Sequence, residues 1–410
     1  MAALTEKSRG IRLTRINENL FLTIYFILAL EYDLYSFFNF GALIAGNVLT
    51  MLEIVVLLYI MFTTFKGVYS HHLVYLLLLL SIGWTYSAFP ELRETLISLF
   101  FEGSSVKKVF LLPLAARCIR NPRTFWKKFY RFCIVEGYVH IICNAILGYG
   151  YTEWGVFNYM VFGMAMLTPT VVVMQKSFSM PTRFDIITFV FFELNIIIYG
   201  HRGALLITAI MMLIFFLRYI NAKRKVLIII SGLMVLTLLI LARDFIIQRM
   251  INLMSSIGLE SRTLEKLLSG NIADDSERNL LWGIMISNIL RYFPMGQGIG
   301  SDRLLLKQTV RAGLYAHNFI LELCGDFGLI LGLLVSIWIF YIVYKSVFKL
   351  NNEDWYRLIV PVLVPSVLTL LFSASIYQYW LFWLSLGLYY CYFGKRIFSR
   401  QRQVKRNRYV

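Results

Sequence analysis

His317 and Asn318 stand where an apolar run begins, in the segment GLYAHNFILELCGDFGLI at residues 313–330. A neutral histidine can act as a general base for a hydroxyl group, and a carboxylate such as Glu322, about a turn and a half along the same helix, can orient it. The alternative is an interfacial histidine whose neighbour Asn318 caps the helix. The pattern leaves both possibilities open.

Arginines form a second set of candidates. Arg202, in YGHRGALL, begins a predicted helix at membrane depth, where backbone N–H groups and the helix dipole favour an anion. Arg262 and Arg278 follow in a long loop, and three guanidinium groups that converge on one outward-facing pocket can clamp a pyrophosphate without a metal. The alternative is that Arg202 snorkels to lipid headgroups while the loop arginines pair with carboxylates such as Asp275.

The composition indicates what must hold these residues in place. Of 410 residues, 59% are hydrophobic and 15% are charged, which is typical of an integral membrane protein. Apolar runs of the length needed to cross a bilayer recur along nearly the whole chain, so we predict one all-α polytopic domain over residues 1–410 with an uncleaved first span. About twelve spans are predicted, at 17–36, 42–64, 72–89, 104–119, 128–147, 156–174, 184–199, 203–220, 226–242, 318–344, 358–375 and 377–394.

The net charge of +17 is explained by topology. With twelve spans and the amino terminus in the cytoplasm, most Lys and Arg residues fall in cytoplasmic segments, as the positive-inside rule requires. The charge therefore indicates anionic lipid rather than nucleic acid as the partner. Both termini are predicted to be cytoplasmic, and residues 243–317 form a large extracytoplasmic loop between spans nine and ten.

The large loop contains a predicted amphipathic helix at about 276–293, which ends before Pro294. Its polar stripe, Asn279, Gly283, Ser287 and Arg291, steps by four along an otherwise apolar surface, so we expect the helix at the membrane interface. The following PMGQGIGSD, residues 294–302, lacks the preceding strand of a phosphate loop and is predicted to be a flexible turn. The five cysteines show no CxxC spacing, and neither a metal site nor a cofactor is predicted.

Three patches, GHRGALL, SERNLLWGIMISNILRYFPMGQGIG and AHNFILELCGDFGLILGL, together resemble the O-antigen polymerase and ligase superfamily of bacterial surface polysaccharide assembly. The resemblance lies in their order and sidedness and covers about residues 196–335. His201 departs from it, because the family more often has a small residue before the arginine.

The resemblance implies a GT-C-like, metal-independent membrane glycosyltransferase that acts on undecaprenyl-diphosphate-linked glycans at the outer side of the bacterial inner membrane. It implies that Arg202 and Arg278 bind the diphosphate leaving group and that His317 acts on the acceptor hydroxyl. Arg262, Arg303, Asn318 and Glu322 are expected to bind substrate, and a chain-length regulator is an expected partner. A polymerase of O-antigen or capsule is favoured over a ligase that transfers glycan to lipid A core. A flippase remains a third possibility, disfavoured because transporters usually show two related halves.

Overall fold

The computed structural model describes residues 2–38, 42–64, 70–102, 106–147, 159–199, 202–220, 248–249, 252, 278–310 and 313–406. Throughout these ranges the regular structure is helical and contains no strand, which confirms the predicted all-α class. The chain divides into two compact units, one of residues 1–25, 41–126 and 277–410 and the other of residues 26–40 and 127–276. A single domain over residues 1–410 stays a prediction.

The first unit contains most of the predicted outer loop that the structure describes, together with the carboxyl-terminal helices. Its helices are α2 (Ala42–Thr64), α3 (Ser70–Ala88), α4 (Arg93–Ile97), α5 (Leu112–Ala115), α11 (Arg278–Arg291), α12 (Ser301–Thr309), α13 (Phe319–Phe327), α14 (Leu329–Phe348), α15 (Glu353–Phe372) and α16 (Trp380–Arg406). Nearly every residue of α15 is buried, so this helix forms the centre of the unit. An ion pair between Lys107 and Glu53 is buried beside α2, where each charge offsets the cost of burying the other.

The second unit is a smaller group of helices. It holds α7 (Tyr159–Ala165), α8 (Leu167–Ser179), α9 (Arg183–Tyr199) and α10 (Arg202–Tyr219), and two longer helices, α1 (Ala2–Phe38) and α6 (Pro122–Leu147), extend from the first unit into it. Polar contacts link neighbouring helices, since Tyr130 donates a hydrogen bond to Asp185 and the Thr208 hydroxyl donates to Glu193 Oε1 at 2.7 Å. In an apolar bundle such bonds satisfy side chains that lipid cannot satisfy.

Length and composition qualify three of the described helical segments to cross a membrane, namely Leu13–Glu31, Leu329–Phe348 and Glu353–Phe372. Shorter apolar helices cover Thr50–Thr64, Val74–Ala88 and Gly203–Tyr219. These segments support an integral membrane protein, whereas the number of twelve spans stays a prediction. The predicted ninth span, 226–242, lies outside the described residues.

Three of the predicted spans are not single uninterrupted helices in the structure. The run at 104–119 is broken into short pieces around Pro113, which has no N–H to donate, and wide π-type turns occupy Ser98–Glu102 and Lys107–Leu111. The run at 156–174 is divided at Met166 between α7 and α8. The run at 318–344 is divided at Gly328 between α13 and α14.

Gly328 ends α13 because its backbone angles, φ 85° and ψ 161°, are accessible to glycine alone among the common residues. The residues on both sides of Gly328 are equally apolar, so the hydropathy pattern suggested one span. The two helices then pack closely, since a Cβ at Gly332 would lie 2.5 Å from Cys324 Cα. We call this pair the α13/α14 hairpin, and it carries the apolar run that begins at His317 and Asn318.

We predict that Gly332→Ala lowers the free energy of unfolding by about 1–3 kcal/mol, because the added methyl group must push α13 and α14 apart. Thermal unfolding of the detergent-purified protein measures the effect. Gly283→Ala in α11 is the matched control, since nothing lies within 4 Å of its Cβ position and alanine is the better helix former. Equal unfolding temperatures for Gly332→Ala and the wild type would contradict the close packing.

Candidate active site

The amphipathic helix α11 begins at Arg278 and ends at Arg291, within the range of 276–293 expected from the sequence. Its buried face is formed by Leu281, Met285 and Ile289, while the polar stripe of Asn279, Gly283, Ser287 and Arg291 is exposed. Leu280, Ile286 and Leu290 are exposed as well. The helix therefore presents Arg278 at one end of a surface that is largely apolar. The position of α11 at the membrane interface stays a prediction.

The glycine-rich turn after α11 is held by hydrogen bonds, although the sequence suggested a flexible segment. Gln297 N donates to the Gly325 carbonyl at 2.9 Å and Gly298 N to the Asp326 carbonyl at 3.0 Å. Gly300 N donates to Asp326 Oδ1 at 3.0 Å, and Ile299 N donates to Thr85 Oγ1 at 3.2 Å. Because these N–H groups are engaged within the protein, the turn serves to fix the end of α13 rather than to cradle an anion.

A buried ion cluster lies where α12, α13 and the α15–α16 connection meet. Arg303 Nη1 donates to Asp302 Oδ1 and to Glu322 Oε1, each at 3.1 Å, and Nη2 donates to Ser375 Oγ at 2.8 Å. Ser375 Oγ in turn donates to Glu322 Oε1 at 2.5 Å, and Ile376 N donates to Glu322 Oε2 at 2.9 Å. Burial lowers the pKa of Arg303, but the neighbouring carboxylates outweigh this effect and raise the pKa above its usual range, so the charge is permanent.

His317 lies beside this cluster in an unusual backbone conformation, with φ at 52°. Its ring packs against that of Tyr315 at a centroid separation of 3.9 Å, with the two planes inclined by 36°, and its Nδ1 lies 3.4 Å from the Ser373 carbonyl oxygen. A carbonyl oxygen only accepts, so in this contact Nδ1 carries the proton and Nε2 keeps the lone pair. The ring is thereby set up with a free basic nitrogen.

Burial lowers the pKa of His317, and the positive charges of Arg278 and Arg303 lower it further. The Ser373 carbonyl and Asp302 raise the pKa but do not outweigh these effects. The same environment raises the pKa of Tyr315 to about 12, chiefly through burial. The imidazole is therefore neutral at physiological pH, and the influence of Arg278 on both rings shows that its charge reaches this site.

Several of the candidates from the sequence come together here. Arg278, Arg303, His317, Asn318 and Glu322 all lie in the first unit, around His317 and the ion cluster. Asn318 caps α13, since its Oδ1 accepts from Ile320 N at 3.0 Å and from Leu321 N at 3.4 Å. The oxygens of Glu322 bind Arg303, Ser375 and Ile376, so Glu322 does not orient the His317 ring as the sequence suggested. The acceptor that faces His317 Nδ1 is instead the main-chain carbonyl of Ser373.

The other two arginines are not placed at this site. Arg202 is the first residue of α10 in the second unit, and its side chain is outside what the structure describes. Arg262 lies outside the described residues altogether. Their roles in binding substrate stay predictions, as do those of Arg303, Asn318 and Glu322.

Comparison with known protein families places one match on this part of the chain: residues 186–336 match the family model described as O-antigen ligase. This match confirms the resemblance to the O-antigen polymerase and ligase superfamily seen in the sequence. A search of curated proteins found no match to the chain.

The matched region, residues 186–336, contains Arg202, Arg278, Arg303 and His317, but the contacts around His317 and Arg303 extend beyond it. Ser373, whose carbonyl faces His317, and Ser375, which bonds Arg303, lie past residue 336 in the connection between α15 and α16. The candidate site thus depends on the carboxyl-terminal helices as well as on the region that matches the family model.

Sequence reasoning missed four residues that organise the site, namely Trp282, Asp302, Tyr315 and Ser375. Asp302 is fully buried although it follows a polar turn, and Trp282 Nε1 donates to the Ala316 carbonyl from 34 positions away. A signal was present only for Asp302, as a carboxylate next to a candidate arginine in the first turn of a helix. Over the described residues, no group of three or more His, Cys, Asp or Glu is arranged to hold a metal ion.

We predict that the pKa of the His317 imidazole lies below the usual value of about 6.5 and rises in Arg278→Met, because removing a nearby positive charge favours protonation. Histidine-selective NMR titration of the purified protein measures it, with His317→Gln identifying the signal among the five histidines. Arg291→Met, about 20 Å away along α11 at helical rise, is the control and leaves the pKa unchanged. A pKa of His317 that Arg278→Met does not raise would contradict the electrostatic coupling.

Proposed function

We propose that this protein is a membrane glycosyltransferase that polymerises undecaprenyl-diphosphate-linked repeat units of O-antigen or capsular polysaccharide. The proposed reaction takes place at the outer side of the bacterial inner membrane, with both chain termini in the cytoplasm. The observation that carries the proposal is a neutral, half-buried His317 within the electrostatic reach of Arg278, inside a region that matches the O-antigen ligase family.

The arrangement fits an inverting transfer between a lipid-linked donor and an acceptor hydroxyl. The acceptor oxygen attacks the anomeric carbon of the donor sugar, and its proton passes to His317 Nε2. The bond between the anomeric carbon and the diphosphate oxygen breaks, and its electron pair leaves with undecaprenyl diphosphate. Arg278 offsets the charge that grows on the leaving group, and Arg202 is proposed to share this task. No nucleotide is consumed, since cleavage of the bond between the donor sugar and its diphosphate supplies the free energy.

An apolar groove in the first unit supports a lipid-linked substrate. It has a volume of about 530 Å³ and lies between α3, α13, α14 and α16. Leu334, Trp338 and Trp383 are typical of its walls, and Leu331 and Leu334 on its rim are more than half exposed. Ile376 and Tyr377 also line it, only a few residues after the Ser373 carbonyl that faces His317. We therefore propose that the groove holds the isoprenoid tail of the substrate.

A ligase is the second candidate, because the matching family model is described as O-antigen ligase. Both reactions use the same donor and the same leaving group, and they differ in the acceptor. For a polymerase the acceptor is a second lipid-linked glycan, and for a ligase it is a sugar of the lipid A core. A chain-length regulator is proposed as a partner of the polymerase.

Deletion of the gene in its own host, with complementation from a plasmid, distinguishes these functions. We expect loss of the polysaccharide ladder with a single repeat unit still attached to the lipid A core, because unpolymerised units can still be ligated. Gel analysis of the core fraction and of the lipid-carrier fraction measures this. Long chains on the carrier with bare core would indicate a ligase, and repeat units confined to the cytoplasmic side would overturn both proposals in favour of a flippase.

The same strain tests the two assigned residues. His317→Ala and Arg278→Ala are expected to abolish the product while the protein accumulates in the membrane at the wild-type level. Arg291→Ala, an exposed arginine at the far end of the same helix as Arg278, is expected to keep full activity. Wild-type product from either His317→Ala or Arg278→Ala would remove that residue from the proposed mechanism.

Filling the groove tests the binding of the lipid tail. We predict that Leu334→Trp raises the KM for the lipid-linked donor about tenfold, which corresponds to about 1.4 kcal/mol of binding, and leaves kcat close to the wild-type value. Transfer assays with purified protein and lipid-linked glycan extracted from the deletion strain measure it. Ile337→Trp is the matched control, since this residue is equally exposed on α14 but does not line the groove. Equal KM values for the two variants would refute the assignment of the groove.

A further inference from the structure

The backbone at His317 is held in a conformation that a histidine rarely adopts. Among the described residues it alone combines a side chain with a positive φ, at 52°. In this left-handed region the Cβ atom crowds its own backbone, so such residues persist only where the surroundings impose them, often at functional sites. The residues on either side of His317 must therefore hold it there.

On the amino-terminal side, Ala316 is fixed through both of its backbone polar groups. Its N–H donates to Asp302 Oδ2 at 2.9 Å, and its carbonyl oxygen accepts from Trp282 Nε1 at 3.0 Å. The residue is completely buried, so no water competes for these bonds. We call Asp302, Trp282 and the Ala316 backbone the Ala316 clamp. It links α11, α12 and the segment that carries His317.

On the carboxyl-terminal side, the chain is fixed by the helix cap. Asn318 has extended backbone angles, φ −154° and ψ 113°, and its side chain accepts from the first N–H groups of α13. His317 is thus the single residue that connects a clamped residue to a capped helix. Its left-handed conformation follows from these two fixed ends, because one residue must make the whole change of direction.

The clamp itself is anchored by the ion cluster. Asp302 is fully buried, and the oxygen that does not bind Ala316 accepts from Arg303. Arg303 is bonded in turn to Glu322 and Ser375, so its guanidinium cannot turn away without breaking several charged hydrogen bonds. Asp302 therefore presents its second oxygen to Ala316 in one fixed orientation.

The ring of His317 is oriented by a second pair of contacts. The Tyr315 ring packs against it, and the Tyr315 hydroxyl donates at 2.6 Å to the Ser373 carbonyl, the same oxygen that faces His317 Nδ1. A carbonyl oxygen has two lone pairs and can accept from both. Once the clamp sets the direction of the Cβ bond, these contacts fix the plane of the ring and leave Nε2 as the basic nitrogen.

We propose that Trp282 and Asp302 are positioning residues for His317, and that their hydrogen bonds to Ala316 set the left-handed backbone from which the imidazole reaches the acceptor hydroxyl. This inference rests on the proposed role of His317 as the base. Neither residue touches the reacting atoms, and both act through the backbone of residue 316. A general base that must meet one hydroxyl gains from such fixed geometry, because small displacements cost a large part of the rate.

The test uses Trp282→Phe, which keeps an aromatic ring in place but removes the N–H group. We expect kcat to fall at least about tenfold with an unchanged KM for the lipid-linked donor, since positioning the base affects the transition state rather than substrate binding. Turnover is measured per folded molecule on lipid-linked glycan extracted from the deletion strain. Trp84→Phe, at an exposed tryptophan of α3, is the matched control and keeps the wild-type kcat. Asp302→Asn is a second variant, with the same expectation.

A double-mutant cycle separates positioning from a general loss of structure. In a His317→Gln background, Trp282→Phe is expected to cause no further loss of the residual turnover, because the clamp has no base left to position. A further loss of similar size in this background, or full kcat in both single variants, would overturn the clamp. If His317→Gln itself kept wild-type turnover, the proposed role of the base would fail instead. The two failures are thus distinguishable.

Discussion

The site depends on one buried charge, the guanidinium of Arg303. A cation in a weakly polar interior is stable only with partners, and Asp302 and Glu322 supply them from α12 and α13. Each of these carboxylates then has one oxygen left over. Asp302 uses it on Ala316, and Glu322 uses it on the backbone of Ile376. The requirement to neutralise one arginine thus fixes the segments on both sides of His317 in space.

A third carboxylate, that of Asp326, fixes the glycine-rich turn. It accepts from Gly300 N, from Ser301 Oγ at 3.2 Å and from the Tyr377 hydroxyl at 2.7 Å. Glycine is required where the turn meets the α13/α14 corner, because a Cβ at Gly296 would lie 2.2 Å from the Asp326 carbonyl oxygen. The glycine-rich turn, the α13/α14 hairpin and the α15–α16 connection therefore pack together. This packing holds the start of α12 in place.

The sequence allowed the prediction of helical elements and of the residues that are chemically unusual where they stand. Hydropathy located α2, α9 and α10 closely, and the end of α11 was evident from Pro294. It failed at 318–344, because Gly328 changes the backbone direction without changing the apolar character of the run. Periodicity measures how apolar a face is and contains no information on backbone angles.

Arg278 and His317 were predicted as site residues because a cation and an imidazole at the edge of an apolar helix are exceptional. Trp282 and Asp302 were not, since tryptophan is common near membrane interfaces and an aspartate after a glycine-rich turn suggests a helix start. The role proposed for them depends on their hydrogen bonds to the Ala316 backbone, which lies 34 residues from Trp282 and 14 from Asp302, and no local pattern encodes such a partner. The residues proposed to react can be recognised by type, whereas those proposed to position them are found only in the tertiary structure.

The proposed chemistry also explains why Arg278 lies near the base. Its positive charge helps to keep the pKa of His317 low, so the free enzyme holds a neutral imidazole. In the proposed mechanism, a donor diphosphate bound at Arg278 would compensate the charge of the arginine, so the pKa of His317 would rise toward its usual value. The imidazole would then be a stronger base when the acceptor hydroxyl must lose its proton. One arginine would in this way both stabilise the leaving group and couple the activation of the acceptor to the presence of the donor.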